Sequence, residues 1–326
     1  MSIGRSLHER ASLPEVLDED MDMSVTAGGL ELKNPVLTAS GTFGYGLEFE
    51  PYGDLTRLGG IVVKGLSLEP RNGNPGPRIT ETPCGLLNAI GLENIGVKAF
   101  LRDKLPRLPW DATPVIVNLY AQTQAEFGEL AARLAAEPGV AALEINVSCP
   151  NVKAGGVQFG QDPGLLAEVC LAVKARAGAK PVLVKLSPNV TDITVLARAA
   201  EDNGADCISL INTLSGMAVD IRTRQARLGN VVGGLSGPAI KPVALRMVHA
   251  VSRAVNIPVI GLGGIATAED ILEFLLVGAQ AVQIGSANFQ RPDRSFQLVQ
   301  ELEDLVQELG LSSWQDYRAG FREPVF

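Results

Sequence analysis

Val259-Ile260-Gly261-Leu262-Gly263-Gly264, a helical pattern over Ala268–Val277, and then Ala281-Val282-Gln283-Ile284-Gly285-Ser286 form the stretch that decides the fold. Both β-rich runs are apolar without alternation, as parallel strands buried on both faces should be. The helix between them makes a strand–helix–strand unit, and Gly278 stands just past the helix end, where a left-handed residue is favoured. Working outward toward the N-terminus, the same unit recurs. Strands are predicted at Val36–Ala39, Ile61–Lys64, Val115–Leu119, Ala142–Asn146, Val182–Leu186 and Cys207–Ile211, with Val259–Gly261 and Ala281–Ile284 as the seventh and eighth. Helical patterns lie at Gln124–Ala136, Pro163–Ala177, Ile193–Asn203 and Ile240–Ala254, and Gly178 and Gly204 end two of them as Gly278 ends its own. A β-rich run followed by an amphipathic helical run, eight times over, predicts an α/β protein folded as a single TIM (β/α)8 barrel. A doubly wound sheet is the alternative, and the regular count of eight disfavours it.

Additions decorate this barrel. Met21–Leu32, with Thr26-Ala27-Gly28-Gly29 inside it, reads as an N-terminal β-hairpin ahead of the first strand. Gly65–Gly96, rich in Pro and Gly, and Asn212–Gly237 are too long for plain connections and are expected to be functional loops on the C-terminal face. Residues 1–20 show no pattern and end acidic at Asp18-Glu19-Asp20. They are expected to be a flexible extension, leaving 21–326 as the barrel domain.

Composition narrows the class of function. The chain has 326 residues, 46% of them hydrophobic, which is ample for one large core. A net charge of −8 without any block of lysine or arginine argues against nucleic acid and against an anionic membrane surface as partner. No apolar run reaches the ~18 residues of a membrane span, and the N-terminus lacks the apolar core of a signal peptide. The four cysteines (84, 149, 170 and 207) show no metal-type spacing, so no metal site is expected, and Cys170 and Cys207 sit in apolar periodic runs as core residues. The expected compartment is the reducing cytoplasm.

The predicted strands end in Ser40, Lys64, Asn118, Asn146, Lys185, Asn212, Gly263-Gly264 and Gly285-Ser286. One or two lysines at such positions can simply reach solvent, and an asparagine or serine there can simply make a turn. Two lysines and three asparagines at the same end of separate strands are harder to explain that way. Glycines after the seventh and eighth strands occupy the usual phosphate site of this fold. A phosphate-bearing cofactor seated there extends its ring over the barrel mouth, where Lys185 can neutralise negative charge as the ring accepts a hydride, as a flavin does.

Asn146-Val147-Ser148-Cys149-Pro150-Asn151 follows the fourth strand. A buried cysteine in a tight turn is the plain reading. The functional reading makes Cys149 a proton acceptor flanked by carboxamides that match an imide or amide edge. The only histidines are His8, in the unpatterned N-terminus, and His249, within an apolar helical run, so neither is a candidate base. A thiol, with an ordinary pKa of about 8.5, is the best remaining acceptor, and Lys64 nearby is expected to lower it further.

Over roughly residues 22 to 310 the chain resembles class 1 dihydroorotate dehydrogenases. The motifs carrying the resemblance are Thr38-Ala39-Ser40-Gly41-Thr42, Val63-Lys64-Gly65, Asn88-Ala89-Ile90-Gly91-Leu92-Glu93-Asn94, the Asn146–Asn151 run, Val184-Lys185-Leu186, Ile211-Asn212-Thr213, Gly261-Leu262-Gly263-Gly264 and Ile284-Gly285-Ser286. The resemblance implies FMN, one per chain, held by Ser40, Lys64, Gly65, Asn118, Asn146, Lys185, Ile211, Gly237, Gly263, Gly264, Gly285 and Ser286. It implies dihydroorotate or orotate bound by Lys64, Asn88, Ala89, Ile90, Gly91, Leu92, Asn146, Asn151, Asn212 and Thr213. Cys149 matches the catalytic base that takes the C5 proton while flavin N5 takes the C6 hydride. Class 2 enzymes carry serine there and are membrane-associated, so the cysteine points to class 1.

Asn212-Thr213-Leu214-Ser215-Gly216-Met217-Ala218 and Gly233-Gly234-Leu235-Ser236-Gly237-Pro238-Ala239-Ile240-Lys241-Pro242 look like subclass B. That subclass is implied to pair a homodimeric core with a second subunit, carrying FAD and a 2Fe–2S cluster, that passes electrons to NAD. This chain has no cysteine cluster for iron–sulfur, so such a cluster belongs to the partner. Competing readings are a fumarate-using subclass A enzyme, an FMN-dependent dihydropyrimidine dehydrogenase, a flavin-free isomerase or aldolase barrel, and a non-catalytic docking scaffold.

Overall fold

A computed structural model describes residues 21–147 and 159–322. Within them, eight parallel strands form one sheet: β1 (Val36–Thr38), β2 (Ile61–Leu66), β3 (Val115–Leu119), β4 (Ala142–Asn146), β5 (Val182–Leu186), β6 (Cys207–Leu210), β7 (Val259–Leu262) and β8 (Ala281–Ile284). Their order is β1-β8-β7-β6-β5-β4-β3-β2. The ring closes where β1 meets the start of β2 through a parallel bridge between Leu37 and Gly60, with Gly59 N–H donating to Val36 O at 2.9 Å and Thr38 N–H to Gly60 O at 3.2 Å. The predicted barrel is present, with strand ends displaced by no more than two residues.

Six helices of nine or more residues flank it: α1 (Gln124–Ala135), α2 (Pro163–Lys174), α3 (Ile193–Asp202), α4 (Lys241–Ser252), α5 (Ala268–Leu276) and α6 (Arg294–Glu308). Each packs on the next around the ring, and α6 returns against β1. Capping follows ordinary chemistry: Thr123, Asp162, Asp192 and Thr267 each accept a backbone N–H from the first turn. Gly178, Gly204 and Gly278 adopt positive φ of 60°, 91° and 112° after α2, α3 and α5.

The eightfold repetition of strand and full helix does not hold at the start of the chain. Between β1 and β2 there are only 3₁₀ turns, Leu47–Tyr52 and Leu55–Arg57. Pro51 lies inside the first, and Gly44 and Gly46 take positive φ just before it, so no uninterrupted α-helix can form there. Between β2 and β3 the helical segments are short turns, Gly96–Ala99, Phe100–Lys104 and Leu105–Arg107, the last carrying Pro106.

The hairpin, Val25–Ala27 paired with Leu30–Leu32, turns through Gly28 and Gly29 at φ 60° and 83° and buries alternate residues. Cys170 and Cys207 are core residues; burial pushes the Cys170 thiol up to about 12 and the Cys207 thiol also upward. Residues 1–20, including His8, lie outside the described residues. Among the described residues no helix is long and apolar enough to cross a membrane.

The two long connections are not independent loops. They combine into a four-stranded antiparallel sheet in the order Leu214–Met217, Val232–Ser236, Gly85–Asn88, Ile79–Thr82. Asn88 pairs with Gly234 and Leu87 with Leu235, so segments about 150 positions apart support one another beside the barrel mouth.

Candidate active site

The C-terminal ends of all eight strands open into one cleft. Every strand contributes: Ser40 after β1, Lys64 in β2, Asn118 in β3, Asn146 closing β4, Lys185 in β5, Ile211 and Asn212 after β6, Gly263 and Gly264 after β7, and Gly285 and Ser286 after β8. Gly65, Asn88, Ile90, Gly91, Leu92, Thr213 and Gly237 line it as well. Ala89 does not; its side chain packs with Leu87 and Leu228, because in the extended segment around it neighbouring side chains face opposite sides. Cys149 and Asn151 lie outside the described residues. His249 is on α4 with its ring 5.4 Å from that of Phe321, and it does not line the cleft.

Lys185 is buried, and its Nζ donates to Gln283 Oε1 at 3.4 Å and Ser40 Oγ at 3.5 Å. Burial pushes its ammonium toward losing the proton, while the carboxylate of Glu144 opposes this. Lys64 is lowered by burial above all; Glu93 works against that shift, and Arg78 and Lys185 add to it. Among the described residues the charged groups lining the cleft are these two cations, so it suits anionic ligand groups.

The amide-bearing residues are held by neighbours. Asn212 Nδ2 donates to Asn146 Oδ1 at 3.3 Å, and Asn212 Oδ1 accepts Thr213 N–H at 2.8 Å. Asn88 Nδ2 donates to Gly234 O at 3.3 Å. The Ile90–Leu92 turn has Gly91 and Leu92 at φ 77° and 61° and is pinned from outside. Asn74 N–H bonds Ile90 O at 2.9 Å, and Asn94 Nδ2 bonds Leu92 O at 2.9 Å. Asn189 steadies the loop after β6 by donating to Thr213 O at 3.0 Å and accepting Ser215 N–H at 2.8 Å.

The dihydroorotate dehydrogenase family model matches residues 22–306, which is most of the chain. The chain belongs to the dihydroorotate dehydrogenase family. Similar relatives include a protein of Solidesulfovibrio magneticus, 67% identical over 302 residues, covering 93% of this chain and 99% of the relative. Another, from Maridesulfovibrio salexigens, is 64% identical over 304 residues, covering 93% and 100%. A third, from Pelobacter propionicus, is 57% identical over 295 residues, covering 90% and 97%. All three bear the name dihydroorotate dehydrogenase B (NAD(+)), catalytic subunit.

The residues of the cleft fit a flavin mononucleotide. Gly264, at φ 80°, runs against α4: a Cβ there would stand 2.8 Å from Lys241 N and 2.9 Å from Gly237 O, so a side chain would jam the turn that lines the candidate phosphate site. Asn118 Oδ1 is buried and accepts no hydrogen bond, an acceptor awaiting an N–H or O–H donor. Gly65 makes room for it, since a Cβ there would come within 2.6 Å of that oxygen.

Four lining residues lie outside every motif read as part of the site: Ile79, Ile265, Gln283 and Phe289. So does Glu144, beneath the cleft. Gln283 and Glu144 each interrupt an apolar strand with a long polar side chain, and that interruption was the available signal. Strands buried on both faces hide which side a residue points to, so the signal carried no direction.

Proposed function

We propose that this chain is the FMN-binding catalytic subunit of a class 1, subclass B dihydroorotate dehydrogenase of the cytoplasm, oxidising (S)-dihydroorotate to orotate in pyrimidine nucleotide synthesis. One observation carries the reading: Lys185 and Asn118 converge at the floor of a cleft whose other walls are glycine turns after β7 and β8 and a group of asparagines. The names of the relatives, which span nearly the same length, favour the NAD-linked form.

FMN, when bound, supplies a two-electron acceptor for hydride. The other roles belong to the protein. Gly263, Gly264, Gly285 and Ser286 hold the phosphate through the loops after β7 and β8, the position this fold uses for it. Lys185 presents a fixed cation where negative charge develops, and a preorganised charge in a buried site costs no rearrangement at the moment of reaction. Asn88, Asn146, Asn151 and Asn212 read the amide edge of the substrate ring with both donors and acceptors. Lys64 and the Ile90–Leu92 turn receive its carboxylate. Cys149 is the base that would take the C5 proton. A partner subunit carrying FAD and a 2Fe–2S cluster then takes the electrons to NAD, around a homodimer of this chain.

Purified chain supplied with FMN tests this. We expect a yellow protein whose flavin absorbance bleaches anaerobically on adding dihydroorotate and does not bleach with dihydrouracil. Bleaching by dihydrouracil at a comparable rate would reassign the substrate, and a colourless protein would remove the cofactor assignment.

A further inference from the structure

Glu144, on β4, is fully buried in the barrel interior, where a lone carboxylate is costly. It does not line the cleft, and none of the roles assigned above uses it. Its two oxygens are nonetheless fully engaged. Oε1 accepts Asn118 Nδ2 at 2.7 Å, while Oε2 accepts Gln283 Nε2 at 2.7 Å and Ser209 Oγ at 2.8 Å. Lys185 Nζ stands 3.9 Å from Oε1. The carboxylate therefore ties β4 to β3, β5, β6 and β8 at one level, and three of its four partners line the cleft.

The donor set has a directional consequence. An ionised carboxylate only accepts, so it selects the NH₂ side of each amide it meets. With their NH₂ groups committed to Glu144, Gln283 turns Oε1 toward Lys185 and Asn118 leaves Oδ1 as an acceptor beside Gly65. Among the described residues, charged groups acting on Lys185 include Glu144 behind it and Lys64, whose ammonium interacts with that of Lys185.

We infer that Glu144 is a positioning residue: a buried counter-charge that keeps Lys185 cationic beneath the cofactor ring and fixes Asn118 with its oxygen toward that ring. This rests on the FMN reading above. Without the carboxylate, Lys185 loses the opposing charge that Glu144 supplies while burial and Lys64 still act on it, so it gives up its proton at lower pH than in the wild type.

The test compares holoenzyme of the wild type with Glu144→Gln, Lys185→Met and the double variant. The readout is the equilibrium between oxidised and reduced bound FMN against a reference dye, from pH 6 to pH 9. Glu144→Gln should depart progressively from the wild type as pH rises. By pH 9 the change should be at least tenfold against reduced FMN, about 30 mV for a two-electron couple. In the Lys185→Met background, Glu144→Gln should change the equilibrium less than threefold at any pH. A pH-independent difference from the wild type, or the same shift with Lys185 removed, overturns the inference.

Should Glu144→Gln not retain FMN, thermal unfolding of the chains decides instead. Adding Lys185→Met should then recover at least half the Tm lost by Glu144→Gln, since both charges of a buried pair have gone. Additive losses overturn the inference. A wild-type chain that binds no FMN would defeat the FMN reading alone, because the thermal cycle still tests the pair.

Discussion

The thiol of Cys149 is the residue on which turnover is expected to depend. A positioned general base contributes about 10²–10⁴-fold. Cys149→Ala should therefore lose turnover by that order while retaining FMN, because the proposed phosphate turns follow β7 and β8 and do not include it. Steady-state rates and the flavin absorbance of the purified variant check both halves; full activity would remove the base assignment. At this scale the strand-end lysines, asparagines and glycines were legible because a barrel strand delivers whatever ends it to one face. Glu144 was not legible: nothing in Ala142-Leu143-Glu144-Ile145 says that the glutamate points inward to meet Asn118, Lys185, Ser209 and Gln283 from four other strands. Ala89 shows the converse, a residue inside a site motif whose side chain turns to packing.

Among the elements, α5 is the one most directly tied to the candidate phosphate turn. Thr267 and Asp270 form a reciprocal cap at its start, and Asp270 Oδ1 also bonds Lys241 Nζ at 2.5 Å on α4. Its other oxygen accepts Ala266 N–H at 2.7 Å and Thr267 N–H at 2.9 Å. Burial pushes the Asp270 carboxyl up, but the Lys241 hydrogen bond and the two N–H donors outweigh it, so the net shift is downward from 3.8. A carboxylate lowered in the folded state stabilises fully above its unfolded pKa and loses that contribution as pH falls through the folded value. Asp270→Asn should thus cost about 1–2 kcal/mol near neutral pH. The gap in Tm from the wild type should narrow between pH 4 and pH 2.5 in thermal unfolding; a constant gap would mean that the charge is irrelevant. The helices and the glycines that end three of them were legible because both are local. The antiparallel sheet of Ile79–Thr82, Gly85–Asn88, Leu214–Met217 and Val232–Ser236 was read only as two long loops, because its pairing joins segments about 150 residues apart.

For the whole molecule, the prediction concerns electron flow. The chain contains one candidate flavin cleft among its described residues and no cysteine spacing for an iron–sulfur centre. NAD reduction by dihydroorotate should be absent for the purified chain. It should appear when a partner subunit carrying FAD and a 2Fe–2S cluster is added. Efficient turnover with fumarate by the chain alone would instead assign a subclass A enzyme.

Eight apolar strands, the glycines after strands seven and eight, and the residue types at the strand ends were determined by sequence alone, because strand periodicity and glycine placement are local and repeat. The closure of β1 on β2 and the joining of two loops into a sheet were decided only by the tertiary structure. So was the orientation of the buried Glu144 network. Each of these depends on contacts between distant segments whose formation no local pattern encodes.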